Sequence, residues 1–339
     1  MRDASRRPRY CAKAQRVFWH EALRRAREAH PQWGPKKLRR VLQRTFPRAR
    51  HVPAASTLAL WLRQCNLVAK RKRRARHGPV LPWKGLWVAR RCNEVWSVDF
   101  KGWFCTGDGR RCEPLTVRDL YSRFILAVAL LPNQSDMALR RALKGVFRRY
   151  GLPKTIRVDN GAPFGGKGAL GLSRLSVWWL RLGIAVEFIR RAHPQDNGGH
   201  EQMHRVLEAD IVAPPARTLR VQKRRTGAWI GCYNAERPHE ALGQQVPARF
   251  YRRSPCQMPR RLKEVKYPRS WKVRRVRNRG HIKWQGRERF AGRAFVGQLL
   301  GLKPMADGGH EVYLDRHLIG LLYARDLAGM RPASIARHP

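Results

Sequence analysis

The chain has 339 residues, and its 72 Lys and Arg against 23 Asp and Glu give a formal net charge of +49, far more than solubility requires. A surplus spread through every region points to a polyanion, with nucleic acid well ahead of an acidic membrane surface. No window approaches the roughly 18 apolar residues of a membrane span, and the seven cysteines, an odd number with no Cys-x-x-Cys pair, indicate neither a disulfide framework nor a zinc knuckle.

The N-terminus lacks the apolar core of a signal peptide, so the expected location is the cytoplasm, in association with the nucleoid. Val17, Ala22, Leu23 and Ala26 recur at helical spacing up to His30-Pro31. After the turn Gln32-Trp33-Gly34-Pro35, Leu38, Val41 and Leu42 predict a second helix. A third is predicted over Leu58, Leu60, Trp61 and Leu62, with Ser56 as its N-cap. Three short helices with basic outer faces suit a helix-turn-helix module over residues 1–69, in which Lys36, Lys37, Ser56 and Arg63 are candidate DNA contacts. An ordinary basic three-helix bundle has the same pattern. The run Lys70, Arg71, Lys72, Arg73, Arg74 follows at once. It has no apolar periodicity and reads as a phosphate-hugging linker over 70–92, although a nuclear-localisation signal looks alike.

Residues 93–255 alternate in type: strands at 94–100, 113–118, 124–131, 155–158 and 185–190, and helices starting near Ser135, Leu172 and Gly199. Short turns at 107–109 and 121–123 make the first three strands an antiparallel meander, while the later strands require helical crossovers. The result is a mixed α/β sheet on the ribonuclease-H-like plan, whose first and fourth strands lie side by side at the centre. Each of those strands ends in a carboxylate, Asp99 and Asp159, at the end where α/β sheets collect their ligand sites. A helix beginning near Gly199 carries Glu201 in its first turn, where the helix dipole favours an anion.

Four motifs in order carry a family resemblance: Trp96-Ser97-Val98-Asp99-Phe100; Val158-Asp159-Asn160-Gly161-x-Pro163-Phe164; Pro194-Gln195-Asp196-Asn197-Gly198-x-x-Glu201; and Tyr233-Asn234-x-x-Arg237-Pro238-His239-x-x-Leu242. Together they resemble the integrase-core transposases of bacterial insertion sequences, relatives of retroviral integrase. Trp33-Gly34-Pro35-x-Lys37-Leu38 resembles that family's N-terminal helix-turn-helix. One departure from the viral relatives is the lack of a His-His-Cys-Cys spacing near the N-terminus. The resemblance implies a DNA transposase that binds the ends of a mobile element and performs metal-dependent cleavage and strand transfer. Its implied partners are double-stranded DNA, as ends and as target, and further copies of itself on that DNA, with no membrane.

Asp99, Asp159 and Glu201 offer oxygen ligands suited to Mg²⁺ or Mn²⁺, two ions being the usual number in such nucleases. Glu187 falls in a strand pattern and Asp196 in a loop, and both are set outside the metal site. His204 is open between metal ligation and a supporting or surface role. Lys101 and Arg205 are candidate phosphate contacts, against a reading as solvated charge. Residues 256–270 read as a linker. Short runs at 273–276, 281–284, 295–299, 311–314 and 319–322 predict a small β-barrel over 271–330, and the tail after Arg331 is expected to be disordered. Two rivals stand beside the transposase. A non-catalytic DNA-binding regulator or architectural protein on the same fold is countered by the three intact acids. A structure-directed ribonuclease is countered by the helix-turn-helix.

Overall fold

The computed structural model describes residues 12–68, 85–166, 169–190 and 198–333. The basic run at 70–76 and the segment 194–197 lie outside them. Among the described residues no helix is long and apolar enough to cross a membrane. The chain divides into two compact units, 1–79 with 231–249, and 80–230 with 250–339.

The first unit holds helices α1 (Ala12–Ala29), α2 (Pro35–Thr45) and α3 (Ala55–Gln64). Trp19, Leu23, Trp33, Leu38, Leu42, Leu58, Trp61 and Leu62 form its core. Gly34-Pro35 opens α2, proline being preorganised for a first helical turn. Ser56 is not the cap of α3. Extended backbone after Pro53 continues only to Ala54, which occupies the cap position without a side-chain bond, so Ser56 already lies inside the first turn with its side chain exposed. The 231–249 segment joins this unit through its own contacts: Lys37 Nζ donates to Pro238 O at 3.0 Å, Arg44 Nη1 to Glu236 O at 3.3 Å, and the Arg237 guanidinium lies 5.9 Å from the Trp33 ring.

The second unit begins with a mixed sheet. Its strands are β1 (Val95–Phe100), β2 (Phe104–Cys105), β3 (Arg111–Asp119), β4 (Ile125–Leu131), β5 (Thr155–Val158) and β6 (Ala185–Phe188). Their order is β2-β3-β1-β5-β6, with β4 on β3. The meander is as the turns predict, with β2 added as a small hairpin on β3. Parallel pairing of β5 with β1 and of β6 with β5 requires crossovers, supplied by α4 (Asp136–Tyr150) and α5 (Arg174–Arg181). Ser135 caps α4 by accepting from Ala138 N, and Ser173 and Ser176 form a capping box on α5. Trp96, Val98, Phe147, Ile156, Val158, Phe164 and Trp179 are fully buried in the core between sheet and helices. Then follow α6 (Gly198–Leu207), α7 (Leu219–Ala235) and the single turn α8 (Pro247–Phe250).

The C-terminal region has an antiparallel sheet in the order β13-β12-β11-β10-β7 and a separate hairpin of β8 and β9. The ranges are β7 Lys272–Arg275, β8 His281–Trp284, β9 Arg287–Phe290, β10 Leu299–Pro304, β11 His310–Leu314, β12 His317–Leu322 and β13 Arg331–Pro332. Trp284, Phe295, Leu300, Val312 and Ile319 are among its core residues. One expectation needs correction here. Residues 293–295 form a tight helical turn that drives Phe295 into the core, and the strand starts only at Leu299. Of the tail after Arg331, residues 334–339 lie outside those described, while Pro332 pairs with Gly320 at the edge of the sheet, a place where a missing N–H is tolerated.

Candidate metal centre

Strand register builds the site. β1 and β5 run parallel with Trp96 opposite Ile156 and Ser97 opposite Arg157, and two further residues along each strand set Asp99 beside Asp159. Asp159 stands just past the end of β5, where the chain turns through Asn160-Gly161 and the Gly161 N–H bonds back to its carboxylate. A side chain at Gly161 would bring its Cβ to 3.0 Å from Asp159 Oδ2, so the turn is tightest for glycine. Asn160 Nδ2 donates to Ile189 O and ties the turn to the chain beyond β6.

The third acid arrives on α6. His200, Met203, His204 and Leu207 are its buried face, and Glu201 is exposed in the first turn. The buried face of α6 is held to the sheet by neutral hydrogen bonds, and its first turn by Arg118 of β3, which donates to Gly199 O. Ser97 Oγ lies 2.7 Å from His200 Nδ1, while Thr116 Oγ1 lies 2.6 Å from His200 Nε2, 2.8 Å from His204 Nε2 and 2.9 Å from Asp99 O. A hydroxyl has one proton to give. With that of Thr116 donated to Asp99 O, both imidazoles donate Nε2–H to Thr116, and Ser97 donates to His200 Nδ1. Burial, then His204 and Arg118, hold His200 well below its usual range. Burial, then Lys101 and Arg118, bring His204 down to about 4. Both rings are therefore neutral near pH 7.

Asp99 is pushed up to about 7, first by burial, then by the charge of Asp159 and more weakly by that of Glu201, against a 2.8 Å bond from Phe100 N. Asp159 is also raised, by desolvation of its carboxyl although the residue as a whole is exposed. All three acids thus act on one region. The tightest cluster of possible ligands among the described residues is a different one, with donor atoms of Asp99, His200 and His204 within 4.8 Å of one another. A hard dication would relieve Asp99, which burial and the charges of Asp159 and Glu201 raise, and the three acids offer it oxygen donors.

Glu187 is elsewhere. Its Oε2 accepts from Arg157 Nε at 2.7 Å and its Oε1 from Trp87 N at 2.6 Å, while Arg157 Nη2 donates to Trp87 O at 2.6 Å. Lys101 pairs with Glu208 at 2.7 Å beside His204, and Arg205 is exposed on α6. Lys36 and Ser56 help line a cavity of about 440 Å³ in the first unit. Lys36 meets Glu240 there at 2.6 Å, and burial followed by Arg237 lowers Lys37 to about 8. Arg63 projects exposed from α3, and Lys70, Arg71, Lys72, Arg73 and Arg74 lie outside the described residues. The sequence reading missed Ser97, Thr116 and His200. The spacing of His200, Met203, His204 and Leu207, at positions i, i+3, i+4 and i+7 of a helix, was the available signal that both histidines face inward.

Three stretches of the chain match models of known families. Two integrase core domain models match residues 89–194 and 182–247, and the model of the C-terminal domain of IS481 family transposases matches 271–326. A protein of insertion element IS407 from Burkholderia multivorans is 27% identical over 219 residues, covering 64% of this chain and 75% of the relative. A protein of insertion element IS476 from Xanthomonas euvesicatoria is 25% identical over 224 residues, covering 66% and 61%. Among solved structures, the HTLV-2 integrase catalytic core in complex with magnesium aligns at a TM-score of 0.39 and 11% identity, over 49% of this chain and all of that one. A simian T-cell lymphotropic virus intasome chain aligns at 0.42 and 13%, over 93% and 99%. The integrase core places the protein in the polynucleotidyl transferase superfamily. Within it, the matches support a bacterial insertion-sequence transposase of the integrase superfamily.

Proposed function

We propose that this transposase binds the ends of its mobile element and cleaves and joins DNA at Asp99, Asp159 and Glu201. The observation that supports this most is the β1–β5 register, which brings Asp99 beside Asp159 while the charge of Glu201 also reaches Asp99. These residues would hold one or two Mg²⁺ or Mn²⁺ ions, which supply Lewis-acid activation of a water or DNA 3′-hydroxyl and stabilise the leaving oxygen. Ser97, Thr116, His200 and His204 keep α6, and Glu201 with it, at a fixed height over the strands. Lys101 and Arg205 meet backbone phosphates near the reacting bond. The helices of residues 1–69, through Lys36, Lys37, Ser56 and Arg63, with the 70–74 run, hold the duplex. Residues 93–255 act as the catalytic core, and 271–330 as a basic accessory domain.

Joining two ends to one target requires two active sites held together, so the working form is a homo-oligomer on DNA. Mass measurement on paired end substrates should find at least two subunits per two ends; a single subunit would refute this. The decisive experiment incubates the full chain with its flanking DNA and Mg²⁺ and maps the cleaved ends. Sequence-specific binding without any cleavage would favour the non-catalytic regulator.

A further inference from the structure

His204 is three residues after Glu201 on α6, so the two share a side of the helix, and a ring nitrogen of His204 lies within 4.8 Å of an Asp99 oxygen. Two ligands at roughly 2.1 Å from one ion stand about 3 to 4 Å apart, so modest side-chain rotation would let both reach a common cation. The hydrogen bonds decide which imidazole is available. Both nitrogens of His200 are engaged, Nδ1 by Ser97 and Nε2 by Thr116. Among the described residues His204 is engaged only at Nε2, which donates to Thr116, and its lone pair is on Nδ1. A metal-binding histidine characteristically donates its second ring N–H to an oxygen acceptor, which fixes the tautomer and orients the ring. Thr116, itself held by Asp99 O, is that acceptor.

We propose that His204 is a nitrogen ligand of the cation bound at Asp99, so that this site takes first-row transition dications such as Mn²⁺ in preference to Mg²⁺. Imidazole suits the transition series, whereas Mg²⁺ demands oxygen and sheds its waters reluctantly. This rests on the metal-site reading above and adds to it a non-carboxylate ligand and a metal preference.

The test uses the purified full-length protein with Mn²⁺ as the probe. Pulsed electron paramagnetic resonance of bound Mn²⁺ should show coupling to a directly ligated ¹⁴N, and His204→Ala should abolish it while Mn²⁺ still binds. Calorimetric titrations should show the ratio of Mn²⁺ to Mg²⁺ affinity falling by on the order of tenfold in that variant. Bound Mn²⁺ without ¹⁴N coupling in the wild type, coupling that persists in His204→Ala, or an unchanged affinity ratio would each overturn the role of His204 and leave the carboxylate reading standing. Mn²⁺ binding that survives Asp99→Asn undiminished would overturn the metal site itself, and this inference with it.

Discussion

The mixed sheet places carboxylates in two contrasting settings. At the β6 edge, Glu187 meets Arg157 and a backbone N–H, so its charge is answered by a cation and a dipole. At the open ends of β1 and β5, the charges acting on Asp99 are those of Asp159 and Glu201, and burial adds to their repulsion. The first arrangement serves folding. It clamps the backbone at Trp87 where the chain enters the core. The second works against folding on its own terms, and is intelligible as a site whose stability is completed by a cation.

Exchanging charge for amide at each place tests that contrast most sharply. Asp99→Asn, Asp159→Asn and Glu201→Gln should each reduce Mg²⁺-dependent cleavage and joining to background in a gel assay while end binding persists. Retained strand transfer in all three would remove the metal mechanism. Glu187→Gln should do the opposite, lowering stability by about 3 kcal/mol because Arg157 is left nearly buried without its ion pair. The melting temperature should fall by roughly 5–10 °C, with activity per folded molecule retained. A dead but fully stable Glu187→Gln would mean that the two carboxylates had been assigned the wrong way round.

A smaller effect is a pH dependence in chelator. Folded Asp99 keeps its proton up to about pH 7, whereas in the unfolded chain it ionises near pH 4. Between those values Asp99 binds an extra proton in the native state, so its own contribution to stability falls as pH rises through the window, by on the order of a few kcal/mol, while His200 and His204, both held below their usual range in the fold, contribute in the opposite direction. Denaturant titrations of the wild type and of Asp99→Asn across the range should differ in slope, stability rising more steeply with pH, or falling less, in the variant. Identical slopes would show that Asp99 does not hold its proton in the fold. The smallest change is expected at Lys36, whose ion pair with Glu240 is largely exposed and therefore contributes little to stability. Lys36→Ala should leave melting unchanged and reduce the salt slope of DNA binding by about 0.9 if it neutralises one phosphate. An unaltered slope would exclude that contact.

Much of the core was legible because strand and helix periodicities differ. Alternation around Val95 and Val98, the apolar run at Ile156 and Val158, and turn residues after each strand located both aspartates and the meander joining the first strands. The C-terminal region was harder to read. Phe295 lies in a run that suits a strand equally well, yet it sits in a tight turn within the core that also holds Trp284 and Leu300. Ser56 misled for a related reason, since capping chemistry is common to many serines and the extended backbone at Pro53-Ala54 decided where α3 begins. The histidine network was the least visible part. Ser97 and Thr116 come from different strands, and nothing local in either sequence shows that their hydroxyls converge on the same imidazoles.

The fastening of α6 by uncharged hydroxyls and imidazoles has a consequence for ionic strength. Contacts between Lys or Arg and phosphate weaken steeply as salt rises, because condensed counterions are no longer released at a profit in entropy. Bonds among buried neutral groups are almost indifferent to salt. Concentrated salt should therefore strip the protein from DNA while the hydroxyl–imidazole bonds between α6 and the strands persist. The transposase would leave its substrate with those bonds intact, ready to act again on dilution.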